Sequence, residues 1–200
     1  ETVSILHAAC YGGDYDIIKL ILDKGADVNA SDKYKNTPLN MAISNSHSIE
    51  VIMALLDRGA DVNAINKEQD TPLHIAIKFI SSIEVIMALL DRGADINASD
   101  HEGNTPLHLA CKKGNIELVN KIINKGADIN AIDKNKNTPL HLACKRWDIE
   151  LVNELIKKGA DVNIINDEQN TPLHIALQHN YQEIIMPLLD KGADVNITYF

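Results

Sequence analysis

The stretch Thr105-Pro106-Leu107-His108-Leu109-Ala110, followed by Gly126-Ala127-Asp128-Ile129-Asn130, decides the fold because its pattern returns along the whole chain. Five of the six prolines stand between Thr and Leu, and six of the ten glycines begin Gly-Ala-Asp-Val/Ile-Asn. Successive copies of this glycine lie 33 or 34 residues apart, a period typical of a stacked repeat array. We therefore divide the chain, as a single domain, into six repeats at 1–29, 30–63, 64–97, 98–130, 131–163 and 164–196, with 197–200 beginning a further hairpin or tail.

Each repeat contains the signals of two short helices. In the fourth repeat Thr105 is a helix N-cap, Pro106 suits the first helical position, and Gly114 ends the helix. A second helix begins near Ile116, has apolar residues at helical spacing and ends at Gly126. Isolated helices shorter than about 12 residues are marginal in water, so we expect each repeat to depend on its neighbours. The shared seam is aliphatic, which accounts for an aromatic content of only 4%.

Composition excludes several classes of function. The net charge of −9 argues against a generic nucleic-acid or anionic-membrane binder, although one repeated aspartate per repeat supplies six negative charges. No stretch approaches the roughly 18 apolar residues of a membrane-spanning helix, and the N-terminus does not resemble a signal peptide. Three cysteines make no disulfide framework. We therefore expect reduced thiols in a cytoplasmic protein.

The motif Thr-Pro-Leu-His-x-Ala, followed about 21 residues later by Gly-Ala-Asp-Val-Asn, resembles the ankyrin repeat over essentially all 200 residues. The resemblance implies an all-α repeat solenoid of stacked helix-turn-helix units, with β-hairpin tips and a concave groove. It also implies a non-enzymatic protein–protein interaction scaffold that binds a partner segment in that groove.

Several positions depart from the family pattern. Asn40 replaces the motif histidine in the second repeat, and Trp147 occupies the position that Gly13 and Gly114 hold in repeats one and four. Repeats two and three carry one extra residue between their helices. Pro187 falls inside the second helix of the last repeat and is expected to weaken it by about 3 kcal/mol if truly interior.

The repeated polar residues admit a chemical and a structural interpretation. Five histidines recur with the period, but equivalent positions in stacked helices lie about 8–10 Å apart, too far to share one zinc ion. A histidine that hydrogen-bonds the turn before its helix is therefore favoured. The repeated aspartates are interpreted as turn-stabilising residues rather than calcium ligands. Cys10, Cys111 and Cys144 share one repeat position with apolar residues, which favours packing over redox chemistry.

No catalytic motif, phosphate loop or metal-ligand spacing occurs in the sequence, so we expect neither an enzyme nor a cofactor nor a bound metal. Under the resemblance, two variable residues at the end of each first helix point into the groove. Five of them are cationic and lie in repeats three to five. They either bind an acidic or mixed-charge partner segment or merely complement the helix dipole. The predicted partner-binding residues are Tyr34, Lys78, Phe79, Lys112, Lys113, Lys145, Arg146 and His179.

Tyr34 and Phe79 are the candidate apolar anchors, while Trp147 either joins them or packs against a neighbouring inter-helix turn. The expected partner is another protein or peptide, with no nucleic acid and no membrane, bound by a monomer. Two alternatives stay open. The repeats could belong to a larger multidomain enzyme or a secreted effector, which would place them in a host cytosol or nucleus. Alternatively, asparagines in a pattern similar to that read by asparaginyl hydroxylases could be modified rather than simply stabilise turns: Asn63, Asn97, Asn163 and Asn196.

Overall fold

A computed structural model describes residues 3–45, 48–80, 82–178 and 181–198, without the side chain of Ile80. Across these ranges the chain forms helices and turns and no β-strand. The residues divide into two compact parts, 1–101 and 102–200, which we call the amino-terminal half and the carboxyl-terminal half. No helix within the described ranges has the length and apolar character that a membrane span requires.

The amino-terminal half contains three helix pairs. The second helix of each of these pairs has nine residues, whereas the first helices vary in length. The bounds are α1 Ile5–Gly12, α2 Tyr15–Asp23, α3 Pro38–Ser44, α4 Ile49–Asp57, α5 Pro72–Ile75 and α6 Ile83–Asp91, with a π-helical turn Ala76–Ile80 that continues α5. First helices pack against first helices and second helices against second helices, so this half has two helical layers.

The carboxyl-terminal half repeats this arrangement with three further pairs. Their bounds are α7 Pro106–Lys113, α8 Ile116–Asn124, α9 Pro139–Arg146, α10 Ile149–Lys157, α11 Pro172–Gln178 and α12 Gln182–Asp190. The largest fully buried side chains of the two halves are leucines and isoleucines. The predicted aliphatic seam is confirmed.

The motif histidines are structural, as predicted. Thr105 Oγ1 lies 2.9 Å from His108 Nδ1, and the backbone N–H of Thr105 donates to the same nitrogen at 3.2 Å. The opposite ring nitrogen, Nε2, lies 3.0 Å from the backbone carbonyl of Asn137 in the next repeat. His141 makes the same contact with the Asn170 carbonyl at 3.1 Å. Each of these two histidines therefore joins its own helix N-cap to the turn of the following repeat.

The repeated aspartates stabilise turns, also as predicted. Asp61 Oδ1 accepts the backbone N–H of Asn63 at 2.9 Å. The Asn63 amide then reaches the next repeat, where it donates to the Gly93 carbonyl at 3.1 Å and accepts the Asp95 N–H at 2.8 Å. The Asn63 side chain therefore joins the turns of two successive repeats.

The turns between repeats contain isolated backbone bonds rather than ladders. The Asp32 N–H donates to the Asn36 carbonyl at 3.0 Å, and the Lys67 N–H donates to the Tyr34 carbonyl at 2.9 Å. The β-hairpin tips and the concave groove that the resemblance implies therefore stay predictions.

The departures from the repeat pattern have distinct structural outcomes. Trp147 ends α9 in the left-handed region at φ 58° and stacks on Tyr181 at 5.1 Å between ring centroids. Its interpretation as a residue that packs on a neighbouring inter-helix turn is confirmed. Pro187 lies inside α12. The extra residue of repeat three lies in the π-helical turn. The extra residue of repeat two belongs to a segment that includes residues 46 and 47, which lie outside the described ranges.

Candidate functional site

The structure places the predicted partner-binding residues in two groups. Tyr34, Lys78 and Phe79 lie in the amino-terminal half, and a basic group of four lies in the carboxyl-terminal half. We call this group the basic cluster; its members are Lys112, Lys113, Lys145 and Arg146. The remaining candidate, His179, lies outside the described residues.

The basic cluster occupies the last turns of α7 and α9, two first helices that pack side by side. Lys112 Nζ donates to Asn104 Oδ1 at 2.8 Å and lies 3.9 Å from a Glu102 carboxylate oxygen. Lys145 Nζ lies 4.0 Å from a carboxylate oxygen of Glu168. The Glu102 and Glu168 side chains are more than half exposed, and exposed ion pairs of this kind contribute only about 0–1 kcal/mol. An incoming carboxylate could therefore replace either glutamate at small cost.

Arg146 has a structural contact of its own. Its guanidinium donates to the backbone carbonyl of Lys112 at 2.7 Å, so the cation lies at the negative end of α7. Gly114 leaves room for it, because a Cβ at that position would lie 2.5 Å from the guanidinium NH2 nitrogen. Arg146 therefore complements the carboxyl-terminal end of α7.

Lys78 is held by two buried carboxylates. Its ammonium lies 2.6 Å from Asp70 Oδ1 and 3.2 Å from Asp100 Oδ2. Burial acts to lower the pKa of Lys78, but the two carboxylates outweigh it and the pKa lies above its ordinary value. Together the three groups carry one net negative charge, so this lysine adds little attraction for an acidic partner.

Phe79 follows Lys78 in the π-helical turn, and its ring is 62% exposed. A π-helical turn inserts one extra residue into a helix and is frequently found at functional sites. The exposed aromatic side chain is therefore displayed by the one first helix of the described chain that departs from α geometry.

Tyr34 lies in the turn before α3, where its ring is 53% exposed. The ammonium groups of Lys33 and Lys67 lie 5.1 and 5.8 Å from the ring centroid, within the range of a cation–π interaction. The participation of Lys67 was not predicted, although it stands one repeat after Lys33 in the sequence.

Sequence reasoning also missed the carboxylates at Lys78. A signal for one of them exists, because the residue before the motif threonine is Asn36, Asn104, Asn137 or Asn170 in the other repeats and aspartate only at Asp70. The matching Lys112–Asn104 contact shows that this lysine position bonds the same position of its own repeat.

The three thiols are buried among apolar side chains, which disfavours the thiolate form. Burial raises the pKa of the Cys10 and Cys144 thiols to about 12, and it also raises the pKa of Cys111. Within the described ranges no group of three His, Cys, Asp or Glu side chains is placed to hold a metal ion.

Paired helices at a period of 33 or 34 residues define a helical repeat protein. The family described as ankyrin repeats, in blocks of three copies, matches the chain over residues 2–66, 65–133 and 107–199. The chain belongs to the ankyrin repeat family, whose members are generally protein–protein interaction modules and typically not enzymes.

A stretch of 34 residues is 56% identical to part of the serine/threonine-protein kinase VIK of Arabidopsis thaliana. This match covers 17% of the present chain and 8% of the kinase. Its length equals one repeat.

Proposed function

We propose that this chain is a non-enzymatic scaffold that binds an acidic or mixed-charge protein segment, with the basic cluster at the centre of the contact. The observation that carries the proposal is the convergence of four cations on the last turns of two adjacent helices, α7 and α9, in a chain whose net charge is −9. Local charge of this kind steers an oppositely charged segment to one surface.

The cluster contacts of Glu102 and Glu168 support this choice of partner. Both side chains already bring carboxylates within 4.0 Å of Lys112 or Lys145. An acidic segment would make the same type of contact, and its several carboxylates would gain by binding together.

Aromatic residues supply the apolar part of the proposed interface. Phe79 and Tyr34 are the exposed aromatic side chains of the predicted set, and aromatic anchors dominate the binding energy of many interfaces. Lys78 has a supporting role in the proposal because Asp70 and Asp100 engage its ammonium, and His179 stays in the predicted set. The proposal treats the chain as a single domain with a concave groove that binds its partner as a monomer in the cytoplasm, without nucleic acid or membrane.

Charge reversal within the basic cluster tests the proposal. The triple variant Lys112→Glu, Lys113→Glu and Lys145→Glu leaves Arg146 in place, because that side chain also caps α7. The matched control reverses three lysines of the second helices or their ends, Lys121, Lys125 and Lys157, and so changes the net charge equally.

Binding of a fluorescent poly-glutamate peptide is measured by anisotropy over a salt series. We expect the cluster variant to bind at least about tenfold more weakly than the control variant, and the affinity of the unchanged protein to fall with salt. Equal affinities for the two triple variants, both folded by circular dichroism, would refute the proposed role of the cluster.

A second candidate is that these repeats are the binding segment of a larger enzyme or secreted effector. The 34-residue likeness to a protein kinase favours it, although that likeness has the length of one repeat. Immunoblotting of native extract with an antibody against residues 102–200 decides the matter. A single band near 22.0 kDa would eliminate this candidate.

A further inference from the structure

An aromatic residue occupies a backbone position that other repeats give to glycine. Trp147 follows α9 in the left-handed region at φ 58°, where Gly13 and Gly114 follow α1 and α7 at φ 76° and 70°. Left-handed backbone is easy for glycine and unfavourable for a residue with a Cβ, so tryptophan costs local stability there. The helix end alone does not account for this large ring.

A second aromatic residue, Tyr181, occupies the N-cap position of α12. It makes no side-chain capping bond, whereas Asp148 caps α10 by accepting the Leu151 N–H at 3.1 Å. The N-cap residues of α2, α6 and α8 also accept a backbone N–H: Asp14, Ser82 and Asn115. A helix without such a bond is less stable at its first turn. Tyr181 is therefore a second departure from the local rules of helix ends.

The two aromatic rings stack on each other, and we call Trp147 and Tyr181 the aromatic pair. Their centroids lie 5.1 Å apart, and their planes are inclined by 20°. Stacking covers one face of the indole, yet Trp147 is 43% exposed. Repeats lie on both sides of Trp147, so a chain end does not cause this exposure.

The aromatic pair adjoins the basic cluster. Trp147 directly follows Arg146, whose guanidinium donates to the Lys112 carbonyl. A Cβ on Gly114 would lie 2.5 Å from the Arg146 NH2 nitrogen and 3.2 Å from Asp148 Oδ2, so residues 146–148 pack closely on the turn after α7. Ring surface and positive charge therefore lie side by side in the carboxyl-terminal half.

A surface of this composition selects the side chain that binds it. Tryptophan and tyrosine are rigid, offer a large contact area at little cost in side-chain entropy, and are enriched among the residues that dominate binding energy. The groups that stack on such rings are other aromatic rings and guanidinium groups. Four adjacent cations repel a guanidinium, which leaves the aromatic ring.

We infer that the aromatic pair is the apolar subsite of the basic cluster, and that the partner segment carries an aromatic side chain next to its carboxylates. The inference rests on the proposed function, because it adds a feature to the same partner at the same surface. It assigns to Trp147 a contact with the partner in addition to its packing on Tyr181.

Single-stranded nucleic acid also combines negative charge with rings that stack. An extended polyanion would meet the rest of a chain whose net charge is −9, whereas a short acidic segment covers the basic cluster alone. The carboxylates of Glu102 and Glu168 already lie within 4.0 Å of lysines of the cluster. A peptide segment is therefore favoured over nucleic acid.

Two fluorescent peptides test the inference by anisotropy, each with six glutamates around a central residue that is phenylalanine in one and alanine in the other. We expect the unchanged protein to bind the phenylalanine peptide about five- to tenfold more tightly. Trp147→Gly should bring this ratio close to one, and it suits the backbone because Gly114 occupies the same position. Trp147→Phe should keep most of the preference. The matched control Tyr11→Ala removes another exposed ring, in the amino-terminal half, and should keep the ratio.

The emission of Trp147 gives a second measurement, since this residue is the single tryptophan of the chain. At saturation the phenylalanine peptide should shift the emission to shorter wavelength, because its ring excludes water from the indole. The alanine peptide should produce a smaller shift. Equal shifts would contradict contact between the two rings.

The results separate failure of this inference from failure of the proposed function. A ratio near one in the unchanged protein, or an unchanged ratio in folded Trp147→Gly, would overturn the inference alone, provided that the triple charge-reversal variant weakens both peptides. Equal binding of both peptides by that variant and by its control would overturn the inference and the proposed function together. Tighter binding of a seven-nucleotide oligothymidylate than of the phenylalanine peptide would overturn the choice of a peptide partner.

Discussion

At the scale of single residues, Asn40 is a buried side chain with two polar atoms that lack a hydrogen-bond partner among the described residues, whereas Asn120 has one such atom. The Asn40 residue is 1% exposed. At the same motif position, His108 and His141 bond both their own threonine and the next turn. A buried polar atom without a partner costs about 1–3 kcal/mol.

Asn40→His is therefore expected to stabilise the protein by about 1–2 kcal/mol. The new Nδ1 would meet Thr37 Oγ1, which caps α3, and Nε2–H would point to the turn of repeat three. Urea unfolding followed by circular dichroism measures the change. The reciprocal variant His108→Asn should lose a similar amount, and a loss of stability in Asn40→His would show that the site has adapted to asparagine.

His141 makes folding sensitive to acid. Burial, the largest cause, lowers the pKa of His141 from 6.5 to about 4. Between these values the unfolded chain binds a proton that the folded chain does not, so stability is full above about pH 6.5 and falls as the pH drops towards 4. The loss from this group amounts to about 3 kcal/mol. NMR titration of the imidazole should give a midpoint near 4, and a midpoint near 6.5 would contradict its burial as a neutral ring.

Lys78 is expected to matter more to stability than to binding. Lys78→Leu leaves Asp70 and Asp100 without their shared cation and should cost about 3 kcal/mol, because buried carboxylates lose their partner. Lys112→Leu is the matched control, since it removes a lysine bonded to neutral Asn104, and should cost about 1 kcal/mol. Chemical denaturation measures the free energy of unfolding of both variants. Equal losses would show that Asp70 and Asp100 do not account for the contribution of Lys78 to stability.

At the scale of helices, most boundaries could be predicted because local chemistry sets them. Thr-Pro begins α3, α5, α7, α9 and α11, and Gly114 ends α7 at φ 70°. The π-helical turn could not be predicted. Repeats two and three each carry one extra residue, and that of repeat three lies in this turn. Capping residues and the repeat period indicate where a helix begins and ends, but they do not distinguish π from α geometry inside it.

The candidate site likewise has features that the sequence predicts and features that it does not. The positions of Lys112, Lys113 and Lys145 at helix ends followed from the repeat period, and the structure places them there. The carboxylates that pair with these lysines and with Lys78 did not follow, because Asp100 beside Lys78 and Glu168 beside Lys145 come from the next repeat and depend on side-chain geometry.

Replacement of Pro187 tests how much this residue destabilises α12. It lies in α12 at the position of Ala54 in α4 and Ala88 in α6, so an alanine side chain fits there. Pro187→Ala restores a backbone donor and should stabilise α12 by up to about 3 kcal/mol. Hydrogen exchange should slow for the amides of residues 184–190 and remain unchanged in α8. Faster exchange in α12 would indicate that the proline ring contributes more by packing than it costs in hydrogen bonding.

At the scale of the whole molecule, the cysteines report on the two compact halves separately. Cys10 lies in the amino-terminal half, and Cys111 and Cys144 lie in the carboxyl-terminal half. All three are 0% exposed, so a thiol reagent can reach them only after local or global opening.

Variants that keep one cysteine each are expected to react with Ellman's reagent at rates set by opening. Cys111 and Cys144 should share one rate, and Cys10 should show another if the halves open independently. A raised thiol pKa and burial together predict native rates at least about a thousandfold below that of a free cysteine. Reaction as fast as a free thiol at any of the three would contradict the closed packing at that position.

The π-helical turn at Ala76–Ile80 also bears on how such a chain can change over evolutionary time. Ile83–Asp91 keeps the nine-residue length of its counterparts, and Val85 and Leu89 stay buried, although one residue has been added upstream. An insertion is thus absorbed within five residues and leaves the following helix intact. A single-codon gain at the end of a first helix can therefore be accommodated without moving the second helix, which leaves the apolar positions of the repeat in place.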